Sequence, residues 1–216
     1  MSGIRKPLLR PGSTELKKNG RERNRGSPRK RRPGRPPALS GGSVFPPNCL
    51  ENKLKFSPYI REAVAFGPGR DRVCAFINID MSAVGDWAER RNLAYTGYTD
   101  LAQKDEVYEL VRECVEKANA ELAADPMLSE SQVHRFLILH KELDPDDDEL
   151  TRTRKVRRGV VAQKYGVLID ALYSDKASQF IETQIRFEDG RTGKISADLR
   201  IAEARVFGAD ALRSAA

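Results

Sequence analysis

Cysteine is scarce in this chain. Cys49, Cys74 and Cys114 are widely spaced and odd in number, which points to free thiols in a reducing compartment rather than to a disulfide framework. No apolar run is long enough to span a bilayer. The first residues offer only Ile4, Leu8 and Leu9 among charges, so they lack the hydrophobic centre of a signal peptide. The cytosol is therefore the expected compartment, with peripheral attachment to a membrane left open. Histidine is rarer still. His134 and His140 lie six apart with no cysteine nearby, a spacing unlike a zinc site, and no Ser-His-Asp or Cys-His arrangement is visible. No metal ligand is assigned.

Residues 1–40 contain no aromatic side chain, and they hold 13 Lys and Arg against 2 Asp and Glu. The remainder holds 25 against 29, so the net charge of +7 belongs to the first forty residues alone. Such a segment cannot bury enough apolar surface to offset its chain entropy and is expected to be disordered. Within it, Lys30-Arg31-Arg32-Pro33-Gly34-Arg35-Pro36-Pro37 resembles an AT-hook, whose Gly-Arg-Pro core enters the minor groove of A·T-rich DNA. A small basic nucleic-acid-binding protein is accordingly the alternative reading of the chain. Nonspecific attraction to polyanions in low salt follows from the charge alone.

Order is expected from Gly41-Gly42-Ser43-Val44-Phe45-Pro46-Pro47 onward. A helix over 50–56 should end at Ser57-Pro58. The apolar runs 62–66 and 72–79 flank Gly67-Pro68-Gly69-Arg70-Asp71 and predict a hairpin. Ser82 can cap a helix to about Asn92 with Trp87 on its inner face. Val107, Leu110, Val111, Cys114, Val115, Ala118 and Leu122 recur at helical steps, which makes Cys114 a core thiol. Arg135–Leu139 reads as a buried strand, and 156–173 as one helix bent at Gly166. The tail alternates over 180–187 and 194–201 around Glu188-Asp189-Gly190-Arg191, a second hairpin. Hairpins mixed with separate helices indicate an α+β fold. The boundaries implied are 1–40, 41–173 and a C-terminal hairpin extension, 174–216.

The chemistry concentrates at Glu149-Leu150-Thr151-Arg152-Thr153-Arg154-Lys155-Val156-Arg157-Arg158. An acidic loop ends, and a lysine stands where a helix is expected to open. A lysine there can bridge a phosphate and a carboxylate as they react; it can equally be the solvated start of a basic helix. Asp144 to Asp148 places carboxylates at alternate positions as a calcium loop does. Glu149 occupies the sixth position, where glycine is needed, and Lys155 the twelfth, where a bidentate glutamate belongs, so a solvated acidic loop is the better reading. Gly190-Arg191-Thr192-Gly193-Lys194-Ile195-Ser196 has two residues between its glycines where a phosphate loop has four.

Several segments carry a resemblance. They are Gly42–Pro47, Leu50–Ile60, Arg61–Gly67, the Trp87 segment Val84–Ala88, and Leu150–Arg158. Their order from about Gly41 to Tyr173 is similar to the small C-terminal domain of the AMP-forming acyl-CoA synthetases, nearest to the long-chain fatty acyl-CoA ligases. The resemblance implies that domain's fold, with β-hairpins and a short mixed sheet packed with helices. It implies a large N-terminal domain that binds ATP, Mg2+ and a fatty acid, and CoA as the second substrate. It implies two closures of the small domain, one bringing its lysine to the carboxylate and α-phosphate, the other forming the pantetheine tunnel. The matching lysine is Lys155. Gly41, Gly42 and Ser43 fall where the tunnel loop would be. Gly193-Lys194-Ile195 mimics the Ser-Gly-Lys-Ile of other superfamily members, but Lys194 lacks a following Arg pair and falls in a predicted hairpin.

Two departures qualify the match. The large domain is absent, and the hinge motif before the glycine turn is replaced by 31–40. The expectation is a truncated or frame-shifted fragment of a long-chain fatty acid–CoA ligase, whose residues 1–40 are not the native upstream sequence. It would be inactive alone and would bind none of ATP, Mg2+ and CoA strongly. A non-catalytic partner docking on a separately encoded adenylation domain is a further alternative.

Overall fold

The computed structural model describes residues 37–186 and 192–208. Most of the expected N-terminal arm, including Lys30–Pro36 of the AT-hook-like stretch, and the turn Glu188–Arg191 lie outside the described residues.

The chain alternates short strands with helices in an α+β arrangement. After α1 (Pro47–Leu54) come β1 (Ile60–Phe66) and β2 (Val73–Ile79). Three helices follow: α2 (Met81–Glu89), α3 (Tyr98–Gln103) and α4 (Asp105–Ala123). A 3-10 turn at Ser129–Ser131 leads into β3 (Val133–Ile138). Beyond the lysine segment lie α5 (Arg158–Lys164), α6 (Gly166–Leu172), β4 (Ser178–Arg186), β5 (Thr192–Arg200) and β6 (Ala202–Glu203). The main sheet has the order β1-β2-β3-β6, and β4 pairs with β5 separately. The hairpin predicted from the Gly67–Asp71 turn is present, with Val64 opposite Phe76. β3 lies parallel to β2, Phe76 beside Leu137, so the intervening helices form the crossover that parallel pairing requires.

All seven residues of β2 are buried, the pattern of a central strand covered on both faces. Side chains alternate between faces. Val73, Ala75, Ile77 and Ile79 enter a core closed by α1, α2, α3 and α4, with Val111, Val115 and Leu122 contributed by α4. Cys74 and Phe76 enter a second core with Leu137, Val161, Tyr165, Leu168, Leu172, Ile181 and Leu199. The β4–β5 hairpin is thus a wall of the second core. Arg135 ties the end of α6 and the link to β4 to the sheet: its guanidinium donates to the carbonyls of Leu172 at 3.0 Å, of Ser174, and of Lys176 at 2.5 Å. A cation at the end of α6 also suits the helix dipole.

Three expectations need correction. Asp80, not Ser82, caps α2; its carboxylate accepts from the backbone N–H groups of Ser82 at 3.1 Å and Ala83 at 3.0 Å. The bond from Ala83 above all, with those from Arg61 and Ser82, holds the Asp80 carboxyl below its usual range against the opposing effect of burial. Asp80→Ala is expected to cost about 1 kcal/mol, read as a lower urea midpoint. Second, the single bent helix over 156–173 is two helices. Tyr165 breaks it with φ −109° and ψ 22° while its buried ring turns into the second core, and Gly166 follows where helical propensity is weakest. Third, Cys114 sits at the rim of the first core, packed against it but only half-buried; Ser57 Oγ donates to its Sγ at 3.0 Å.

Candidate functional site

Lys155 does not open a helix, as its sequence suggested. It stands three residues before α5 in a tight turn. Leu150 and Val156 form an isolated antiparallel bridge. Inside it, the Thr151 N–H donates to the Lys155 carbonyl at 2.8 Å and the Arg154 N–H to the Thr151 carbonyl at 2.8 Å. The Thr151 hydroxyl accepts the Lys155 N–H at 3.0 Å and lies 3.0 Å from that of Thr153. This is why threonine suits the first turn position: its short hydroxyl holds the backbone four residues on. Arg154 takes φ +57° to close the turn. The Lys155 side chain is exposed, and its amine makes no ion pair among the described residues. A cleft of about 400 Å³ opens beside the turn, with Lys55, Arg61, Asp80, Glu142 and Arg154 on its walls.

The acidic loop is solvated as expected at Asp144, Asp146 and Asp148, but the base of the turn that follows it is buried and charged. Glu149 has no solvent exposure. Its Oε2 accepts from Lys141 Nζ at 2.7 Å and from the Asp144 N–H at 3.0 Å. Its Oε1 accepts from the Tyr165 hydroxyl at 2.6 Å and pairs with Lys164 Nζ at 2.7 Å. Asp147 Oδ2 takes Lys141 at 2.8 Å and Lys164 at 3.3 Å. Two lysines and two carboxylates therefore balance. Burial alone would raise the Glu149 and Asp147 carboxyls; the bonds from Lys141 and Lys164, with that of Tyr165 to Glu149, outweigh it and hold both below their usual range. Beside the quartet, buried His140 holds Thr183 Oγ1 at 2.6 Å from Nε2 and leaves Nδ1 without a partner. Burial, then the neighbouring Lys141, pushes the His140 imidazole down to about 4.

Asp148 pairs with Arg157, so three of the acidic loop's carboxylates already hold the chain's own cations. Such a loop is poorly disposed to take up a hard cation. Among the described residues no group of three His, Cys, Asp or Glu is arranged to hold a metal.

Gly41, Gly42 and Ser43 form a different turn. Ala38 bridges Val44, the Leu39 N–H donates to the Ser43 carbonyl at 2.9 Å, and the Gly42 N–H to the Leu39 carbonyl at 2.9 Å. Gly42 has φ +88°, a conformation that favours glycine. This turn is fastened to the β1–β2 connection by Ser40 N–H to the Arg70 carbonyl at 2.8 Å and Gly69 N–H to that of Ala38 at 2.9 Å. It therefore lies past the Phe66 end of β1. The cleft beside Arg154 reaches Ile60 and Arg61 at the other end. The two predicted sites are not brought together. Lys194 lies on β5, exposed, and pairs with Glu182 across the hairpin at 2.7 Å.

The partners of Glu149 were not foreseen. Lys141 lies eight residues before it and Lys164 fifteen after, distances at which no local period links them; the one signal was the acidic residue at the head of the lysine motif.

The sequence profile described as the AMP-binding enzyme C-terminal domain matches residues 38–177. The chain belongs to this family. Among curated relatives, the domain is similar to the long-chain-fatty-acid–CoA ligase FadD15 of Mycobacterium tuberculosis, 32% identical over 136 residues, which is 62% of this chain and 22% of the relative. It is also similar to the long-chain-fatty-acid–CoA ligase ACSBG1 of Bos taurus, 27% identical over 157 residues, 65% of this chain and 21% of the relative. The chain thus spans about a fifth of the length of the curated relatives it matches. In fold it is similar to the adenylation domain of a carboxylate reductase from Mycobacterium chelonae, with a TM-score of 0.50 at 18% identity, covering 64% of this chain and 19% of that one. These findings agree with the fold and family expected from the sequence. Nothing in them supports the nucleic-acid alternative. No helix among the described residues is long and apolar enough to cross a membrane.

Proposed function

We propose that this chain supplies the mobile C-terminal lysine of a long-chain fatty-acid–CoA ligase, with Lys155 as the catalytic residue. The reaction joins a fatty acid to the α-phosphate of ATP and then passes the acyl group to CoA as a thioester. The observation that carries the reading is the placement of Lys155, exposed on a hydrogen-bonded turn whose base is buried. Such a cation is held ready for a partner surface instead of being spent on its own domain.

The C-terminal domain cannot form the whole site. The large domain of the complete enzyme would bind ATP, Mg2+ and the acyl chain. Closure then brings Lys155 between the carboxylate and the α-phosphate, where negative charge grows in the transition state, and expels water that would weaken the interaction. The exposed Arg152 and Arg154 add positive potential along the same edge. For the second half-reaction the domain turns, and Gly41, Gly42 and Ser43 line the path of pantetheine. Two sites at opposite ends of β1 suit a domain that presents two faces in succession. The cytosol, with peripheral contact to a membrane that holds fatty acid, is the compartment this reading implies.

The test begins with residues 1–216 alone, given ATP, Mg2+ and palmitate. Pyrophosphate release is expected to stay at background, because one lysine turn cannot bind the reactants together. Joining the chain to the large domain of a compatible ligase is expected to restore release that depends on fatty acid. Robust release from the pure chain would overturn the proposal, as would failure of every well-folded fusion.

A further inference from the structure

We propose that Glu149 is the positioning residue for Lys155: its buried carboxylate, held by four donors, fixes the shape of the 150–157 turn and so the direction in which the lysine is presented. Its catalytic consequence rests on the reading of Lys155 given above; its structural content does not.

Glu149 acts at both ends of its own residue. The side chain is saturated by Lys141, Lys164, the Tyr165 hydroxyl and the Asp144 N–H. The backbone carbonyl accepts the Arg157 N–H at 2.8 Å, which closes the turn, and its own N–H donates to the Asp144 carbonyl at 3.1 Å. The residue that anchors the carboxylate in the domain is therefore the residue across which the lysine turn is closed. Lys141 follows directly on β3 and its strand extension, and its carbonyl accepts Asn78 Nδ2 of β2 at 2.7 Å. Lys164 ends α5, and Tyr165 joins α5 to α6. The carboxylate thus collects donors from both flanking elements, and the turn cannot pivot without breaking charge-assisted bonds in a buried place. Losing Glu149 would leave two partly buried lysines with Asp147 as their shared partner, a cost that opposes loosening of the turn.

The arrangement extends to the C-terminal hairpin. Tyr165 packs edge-to-face on His140, ring centroids 6.5 Å apart, and His140 bonds Thr183 on β4. Residues beyond the 38–177 match therefore help exclude water from the anchor of the lysine turn.

Amide hydrogen exchange on the full chain tests the idea without activity. Thr151, Arg154, Lys155 and Arg157 each donate a backbone N–H inside the turn. In Glu149→Gln these four are expected to exchange at least about tenfold faster relative to the amides of β2 and β3, because a neutral amide cannot hold two lysines. Glu149→Asp, which restores the charge on a shorter arm, should recover part of the protection. Tyr165→Phe removes a single donor and serves if Glu149→Gln does not fold; it should give the same pattern, severalfold in size. An equal rise at turn and strands, or no rise at the turn, would overturn the proposal. In the fused ligase, Tyr165→Phe and Glu149→Asp should lower kcat for adenylation with KM for ATP within about twofold, and spare thioester formation from supplied acyl-adenylate; equal loss in both steps counts against positioning. If Lys155→Ala left adenylation intact, the catalytic reading would fall while the exchange result still decided the role of Glu149.

Discussion

Lys155→Ala, in a ligase assembled from this chain and a compatible large domain, is expected to slow acyl-adenylate formation by roughly two to four orders of magnitude. The size follows from where the charge works. In water a single ammonium screens poorly against a spread anion and would matter little. In a closed, dry site it faces charge that develops on the carboxylate and the α-phosphate together, and no water remains to take its place. Thioester formation from supplied acyl-adenylate should suffer much less, because the domain has turned by then. Lys155→Arg should not rescue fully, since a planar fork does not replace a compact point charge. Lys194→Ala is the control. That side chain is exposed and engaged with Glu182, an arrangement of small energetic weight, so either half-reaction should change only slightly. Single-turnover measurement of the two half-reactions decides the matter; a damaging Lys194→Ala beside a silent Lys155→Ala would move the catalytic lysine to the hairpin.

The elements readable in advance were those whose cause is local. The β1–β2 hairpin follows from Gly67–Asp71 between two apolar runs, and α4 from apolar residues at helical steps. The Gly41–Gly42 turn shows itself by its glycines. What escaped depends on distant partners. Gly166 announces a bend, but nothing near Tyr165 announces that its hydroxyl will reach Glu149 and that the helix will divide in two. β6 is two residues long, too short for any period, and exists because Phe136 and Arg135 offer an edge. The acidic loop reads as solvated from its composition, and Asp144, Asp146 and Asp148 are indeed exposed. Glu149 at its end is buried because Lys141 and Lys164 arrive from two other elements, and their pairing overrides the usual cost of burying a carboxylate.

The same buried network predicts how the domain responds to acid. His140 is buried, against the ring of Tyr165 and the hydroxyl of Thr183, with Lys141, Lys164 and Glu149 as the charges about it. Burial and then Lys141 keep its imidazole neutral down to about pH 4, against an ordinary value of 6.5. Between those limits the unfolded chain takes up a proton that the folded chain refuses, so stability falls as the pH is lowered through this window. The full span from 6.5 to about 4 corresponds to about 3 kcal/mol. Glu149 and Asp147 act further down. Their carboxyls are held below the usual range, so the stability they contribute is complete above their unfolded values and is lost as the pH falls through the folded ones. Urea midpoints taken in half-unit steps from pH 7 to 4 should therefore decline well before the carboxylates titrate. His140→Gln can keep a bond to Thr183 but has no proton to refuse. Its midpoint should stay nearly level over most of the same window, with the residual slope set by half-buried His134, which burial and Arg72 also push down. A wild-type curve flat from pH 6.5 to 4.5, or a decline that survives in His140→Gln and disappears in His134→Gln, would show that the proton is taken up elsewhere.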